Sequence, residues 1–273
     1  MTKTTSEHIG YWFAPIEELY EKLANNQLGS GPEARFFWDN GGKVLLVAHM
    51  DTVVCPHIAG KRKNLLYGAG FDDRAGCWLA YNLGREYGYD VLLCDYEESG
   101  RSSGQKHNIK QDYQCIVELD REGEDFVDYG LAGDDLIKAL EKHGFRHSYG
   151  SFTDICALIT DVACVNIGIG VKHSHSCDSY MDLDVMARQV SRLREFFDEL
   201  AKSGICYKQP EQPKRYFGFS GYGEFDDNDE NYFCDFCGNI AVITDEPTGY
   251  YYCQDCYDYE CRYKDEPYYL EKE

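Results

Sequence analysis

The sequence predicts an α/β fold, with a mostly parallel sheet between helical layers in a three-layer α/β/α arrangement, and a small separate appendix at the C-terminus. Three observations predict it. Strand-length apolar runs alternate with segments of helical period, which is the signature of strands joined through helices. The strand runs are apolar without alternation, as expected when both faces of a strand are covered. After Lys202 the texture changes to prolines, glycines and acids with no period of either kind.

Residues 15–25 (PIEELYEKLAN) have helical spacing, with Pro15 in the first turn. Residues 43–49 (KVLLVAH) read as a central buried strand, 75–86 as a helix, and 91–95 and 115–119 as two further buried strands. Residues 134–143 read as a helix stopped by Gly144, 164–169 as a fourth strand, and 183–201 as a long last helix charged along one side. This organisation places a core over 1–205, an acidic linker over 206–230 and a small module over 231–273.

Composition narrows the chemistry. The net charge is −21, and from residue 207 onward 16 Asp/Glu stand against 6 Lys/Arg, a balance of −10. Such a surface repels phosphate backbones, so no nucleic-acid partner is expected. No run approaches the ~20 apolar residues of a membrane span. The start, MTKTTSEHIGYWF, lacks the basic and apolar pattern of a secretory signal. The expected location is therefore cytoplasmic, with thiols reduced. Of the 13 cysteines, Cys77, Cys94, Cys115, Cys156 and Cys164 lie in or beside apolar runs and read as core fillers.

Residues able to bind metal recur in order: His49 and Asp51 in VAHMDTV, Asp72 and Asp73 in GAGFDDRAG, Glu97 and Glu98 in CDYEESG, Asp120 in VELDREG, and His175 in VKHSHSCDSY. Singly, each is more often a surface detail than a ligand. Together, His49, Glu97, Glu98 and Asp120 come just after apolar strand runs, and His175 follows another after a short loop. Ligands of open α/β sheets gather at the carboxyl ends of the strands. Imidazole and carboxylate together suit zinc, and a carboxylate can bridge two ions.

The order HxD, DD[KR]xG, EE, Asp, His resembles the co-catalytic di-zinc exopeptidases and amidohydrolases, a superfamily that includes aminopeptidases, glutamate carboxypeptidase, aminoacylase and peptidase T. The resemblance spans about residues 35–190. It implies a metal set of His49, Asp72, Glu98, Asp120 and His175, with Asp72 bridging two catalytic ions (zinc, or cobalt or manganese). It implies a catalytic pair in which Glu97 is the general base and Asp51 orients the His49 imidazole. His175 is preferred to His173 because it stands after Gly170 and before Ser176, as in the family's late motif. Asp154, in GSFTDI, matches a position near the substrate. The implied reaction is hydrolysis of a peptide or amide bond by water held between the two ions.

Only 22 residues separate His49 from Asp72, and 54 separate Asp120 from His175. Neither gap has room for the inserted domains of many members, so the core resembles the lidless aminopeptidases. Ser179 stands where the family usually has an acid. The expected substrate is a small peptide, with an N-acyl amino acid as the alternative. A contrasting reading is an adaptor whose hydrolase core is inactive.

The module at the C-terminus has its own signature. Cys234-x2-Cys237 and Cys253-x2-Cys256 are 15 residues apart, the spacing of a four-cysteine structural zinc ribbon. It is acidic and rich in tyrosine, which favours a protein contact over nucleic acid.

Overall fold

The computed structural model describes residues 8–150 and 152–211, and the strands at 243–245 and 250–252. The chain divides into two compact units, Met1–Arg215 and Tyr216–Glu273. In the second, strands β13 (Ile243–Asp245) and β14 (Tyr250–Tyr252) pair antiparallel. Cys234, Cys237, Cys253 and Cys256 lie outside the described residues, as does most of the acidic linker.

The first unit is α/β. Its main sheet has eight strands in the order β1-β2-β6-β3-β7-β10-β8-β9. The central four, β3 (Val44–His49), β6 (Asp90–Cys94), β7 (Cys115–Arg121) and β10 (Cys164–Gly168), run parallel to one another. All of β3, β6 and β10 is buried, which is why their sequences show no alternation. The flanks are β1 (Gln27–Leu28), β2 (Arg35–Trp38), β8 (Asp125–Val127) and β9 (Arg146–Ser148). β2 and β8 run antiparallel to the central strands beside them.

From β3 the chain passes through α3 (Phe71–Tyr87) to β6 on one side, and only then to β7 on the other. The order therefore reverses at β3 and β7, the position where open α/β sheets leave a crevice at the strand carboxyl ends. Helices α1 (Ile9–Trp12), α2 (Ile16–Leu23), α3, α4 (Asp134–Lys142) and α6 (Leu183–Ser203) pack on one face, sharing a core with Val44, Leu46, Val117 and Val165. The opposite face, carrying Leu45, Val47, Cys94 and Ile116, is covered by the single turn of α5 (Asp154–Ala157) and neighbouring loops. That second helical layer is thinner than the sequence suggests.

A second sheet, β11-β12-β5-β4, is wholly antiparallel. It joins the hairpin β4 (His57–Arg62) and β5 (Leu65–Ala69) to β11 (Val171–Lys172) and β12 (Tyr180–Asp182). None of these four strands has the continuous apolar run of the main sheet, and β4 is almost wholly exposed. The sheet holds the ends of the loop that carries His173 and His175. Asp182 then caps α6, its carboxylate accepting from the N–H groups of Asp184 and Val185 at 2.9 and 3.1 Å.

His107 closes the short helical turn Ser103–Lys106, its ring 4.4 Å from that of Phe37 and its Nδ1 without a partner. Burial, with Arg35 and Lys110 nearby, pushes it from an ordinary 6.5 down to about 4. Between those values the unfolded chain takes up a proton that the folded chain refuses, so stability falls as pH drops from 6.5 to 4. His107→Phe is expected to lose less stability than the wild type between pH 7 and 4.5 in thermal melts; equal losses would exclude this contribution.

Candidate metal centre

His49 is the last residue of β3, and its side chain is only 1% exposed. Its Nδ1 lies 3.0 Å from the backbone oxygen of Asp51 and 3.3 Å from that residue's Oδ1, so Nε2 is turned into the crevice. There Nε2 stands 3.2 Å from Asp72 Oδ1 and 3.3 Å from Asp120 Oδ1. Asp120 comes from β7, two strand positions beyond Glu118 on the same face. The hydroxyl of Thr153 donates to its Oδ2 at 3.1 Å, and the Asn166 amide lies 3.4 Å from the same atom.

Asp72 sits where α3 has not yet become regular: φ/ψ at Asp72 and Asp73 are non-helical, and the peptide between them is cis. The Asp72 carboxylate faces two ways. Oδ1 meets His49, and Oδ2 lies 3.2 Å from Nε2 of His175. His175 also approaches Glu98 Oε2 at 3.0 Å. Two trios result, His49–Asp72–Asp120 and Asp72–Glu98–His175, each with its donor atoms within 4.8 Å of one another. His173 instead packs its ring 5.5 Å from that of Tyr180.

Glu97 and Glu98 ride on a short turn after β6, entered through Tyr96 at φ +66. Asp51 holds that turn from behind: its Oδ1 accepts from the N–H of Glu97 at 3.2 Å and its Oδ2 from that of Glu98 at 3.0 Å. One carboxylate thus sets both the His49 ring and the paired glutamates. Glu97 Oε2 is 3.9 Å from His49 Nε2 and belongs to neither trio. Asp95 adds a second brace, accepting from the Tyr96 N–H at 3.0 Å and from the Tyr20 hydroxyl. Asp154, by contrast, is fully buried.

Charge in so small a space moves Glu97, Asp120, Asp73, His49 and His175 from their ordinary values. Burial, reinforced by Asp120, Asp154 and Glu98, pushes Glu97 up to about 9. Burial and Asp72 raise Asp120, and burial with Asp120 raises Asp73 well above the carboxylate range. Burial alone would lower His49, but Asp120, Asp51 and Asp72 raise it well above its ordinary value. Hydrogen bonding to Asp72 and Glu98 carries His175 up to about 10. Without cations the cluster is neutralised only by protons on its imidazoles and acids. Two divalent ions fit the same need: each trio offers one nitrogen and two carboxylates, and Glu98 Oε1 is buried without a hydrogen-bond partner.

Asp73, Thr153 and Asn166 have roles that the motif order did not assign. Asp73 accepts from the His49 N–H at 3.2 Å and the Gly76 N–H at 3.0 Å, tying α3 to the end of β3. A Cβ on Gly76 would run into the Asp73 carboxylate and the Leu119 carbonyl, both enclosed. Gly76→Ala is therefore expected to cost about 1–3 kcal/mol and to weaken metal retention, read by denaturant unfolding and by elemental analysis. An unchanged unfolding midpoint would mean that this approach is not tight.

No protein-family model matches the sequence, and no curated protein matches it. Among solved structures, the chain is similar to the aminopeptidase PepT of Bacillus cereus, with 13% identity, 70% of this chain and 94% of the other covered, and a TM-score of 0.49. It is also similar to a tripeptidase of Staphylococcus aureus (12% identity, 68% and 92% covered, TM-score 0.47). A third is the TET1 peptidase of Pyrococcus horikoshii, which can assemble into a tetrahedron or a large octahedral shell (13% identity, 70% and 94% covered, TM-score 0.41). At such identities and TM-scores the chemistry has to come from this chain's own side chains.

Proposed function

We propose that this chain is a metal-dependent hydrolase of peptide or amide bonds, acting on small peptides in the manner of an aminopeptidase. The observation that carries the reading is Asp72, whose two carboxylate oxygens each face a different histidine-containing trio. His49, Asp72 and Asp120 would hold one divalent ion and Asp72, Glu98 and His175 the other, with zinc, cobalt or manganese suited to the donors. Bound there, the two ions would supply Lewis acidity for water and for the carbonyl of the scissile bond.

The residues divide the remaining work. Glu97 stands 3.9 Å from His49 of the first trio without belonging to either trio, so its carboxylate is free to take a proton from the attacking water and return it to the leaving nitrogen. Asp51 is a positioning residue: it fixes the His49 ring and the amides of Glu97 and Glu98 together. Thr153 and Asn166 orient Asp120 through its Oδ2.

The acidity of the surroundings supports a free amine on the substrate over a free carboxylate. Beside Asp51 lies a cavity of about 330 Å³ lined by Ile16, Glu17, Tyr20, Asp51, Asp95 and Tyr96, a mostly apolar recess next to the acidic centre with room for a side chain of the substrate. Aminopeptidase action is therefore favoured over deacylation of N-acyl amino acids. For the second unit we propose a structural zinc on Cys234, Cys237, Cys253 and Cys256, available for contact with another protein.

Glu97→Gln is expected to keep both ions of the core while turnover falls by about 10²–10⁴-fold; metal content and peptide hydrolysis measured on one preparation test this. Full activity in that variant would end the mechanism. Dipeptides and tripeptides with a free N-terminus are expected to be cleaved faster than their N-acetylated forms. Preference for the acetylated set would turn the assignment to the deacylase.

A further inference from the structure

A second cavity, of about 470 Å³, is walled by Arg121, Glu122, Glu124 and Asp125 where the chain leaves β7, by Arg146 of β9 and by Lys172 of β11. The two segments that carry Asp120 and His175 build most of it. Arg121 follows Asp120 directly, and Lys172 stands three residues before His175. The Gly170 N–H donates to the Gly123 carbonyl at 2.7 Å, and the Gly123 N–H to the Val171 carbonyl at 3.0 Å. Glu122 Oε1 accepts from the N–H of Ser174, the residue before His175, at 2.6 Å. One residue spans about 3.8 Å between Cα atoms. The walls therefore start one step from a residue of the first trio and touch the neighbour of a residue of the second.

Charge around this cavity runs against that of the chain, which is −21 overall. Asp125 is engaged by Arg121 at 2.6 and 3.3 Å, and Glu124 is shared by Arg146 and Arg188 at 3.1 Å each. Glu122 is occupied by the Ser174 amide. Lys172, exposed at the end of β11, has no acid within ion-pair distance among the described residues. Its ammonium lies over the Gly123 turn, 3.4 Å from where a Cβ on that glycine would stand. With Arg188 included, four cations stand against three acids, and the surplus charge is that of Lys172.

We propose that this cavity takes a carboxylate of the peptide substrate, with Lys172 as the residue that selects for it. The proposal rests on the hydrolase reading above and gives it a substrate class, short peptides with an acid close to the scissile bond. A free peptide is a dipole. Its amine is drawn to the acids of the centre, while its carboxylate is repelled there and needs a cation nearby. The paired guanidiniums hold the wall, and the unpaired ammonium donates a charge-assisted hydrogen bond to the ligand. Two parts of a peptide offer this chemistry, the C-terminus and an acidic side chain.

The experiment assays the metal-loaded full chain on paired peptides. Ala-Ala and Ala-Ala-Ala against their C-terminal amides test the terminus. Glu-Ala amide against Gln-Ala amide, and Ala-Glu amide against Ala-Gln amide, test the side chain. In one of these sets the acidic member is expected to lead by about 10-fold or more in kcat/KM, through KM, the scale of one charge-assisted hydrogen bond. Lys172→Met is expected to erase that preference, Lys172→Arg to keep it and Lys172→Glu to reverse it. Calorimetric binding of the same pairs to Glu97→Gln tells the two readings apart. Peptides that bind with the preference yet are never cleaved by the wild type would end the hydrolase and leave the cavity standing. Cleavage without preference in either set, a preference that survives Lys172→Met, or no binding of any pair would overturn the proposal.

Discussion

Like charge crowded at one end of a sheet is the constraint on which the rest of this molecule turns. Asp51, Asp72, Asp73, Glu97, Glu98 and Asp120 converge on two imidazoles in a space where nearly every group is shielded from water. Mutual repulsion in such surroundings is expensive, and the acids stay together only because the backbone gives them no alternative. β3 and β7 deliver His49 and Asp120 to adjacent strand ends, α3 presents Asp72 between them, and the turn after β6 supplies the glutamates. The fold supplies the geometry, and positive charge has to supply the stability.

Supporting contacts fix these carboxylates, those of Asp51 and Asp73 through both oxygens and that of Asp120 through one. Asp51 uses its oxygens on two amides and an imidazole, Asp73 on the amides of His49 and Gly76, and Asp120 gives Oδ2 to Thr153 while Oδ1 looks toward His49. Rotation of any of these acids would break a hydrogen bond in a region only partly open to water. Preorganisation of this kind lets a site bind ions without first reshaping itself.

Much of this could be read from the chain because buried parallel strands write themselves as unbroken apolar runs, and polar residues just past them stand out. That is how Val44–His49, Asp90–Cys94 and Cys115–Arg121 reveal both strands and the acids at their tips. Other features had no such signal. The antiparallel sheet is built of strands as short as two residues, and β4 is mostly polar. Glu118 is hidden inside the apolar run of β7, where a single acid looks like an interruption of the strand. Asp154 sits in a motif at the site, yet its burial depends on the packing of one helical turn, which no local period encodes. Choosing between His173 and His175 rests on a two-residue offset within a loop, and both histidines adopt positive φ.

The two halves of the centre differ in their access to solvent. His49 is sealed at 1% exposure at the end of a central strand, whereas His175 is 53% exposed on a loop between two short strands. An ion leaving the first would have to dislodge a strand terminus, while an ion leaving the second needs only a loop excursion. If the two trios hold ions as proposed, the pair should therefore be kinetically unequal, with the ion beside His49 the slower to leave and the ion beside His175 the faster to exchange. On the proposed function, activity would then follow the free metal concentration through the more exposed position.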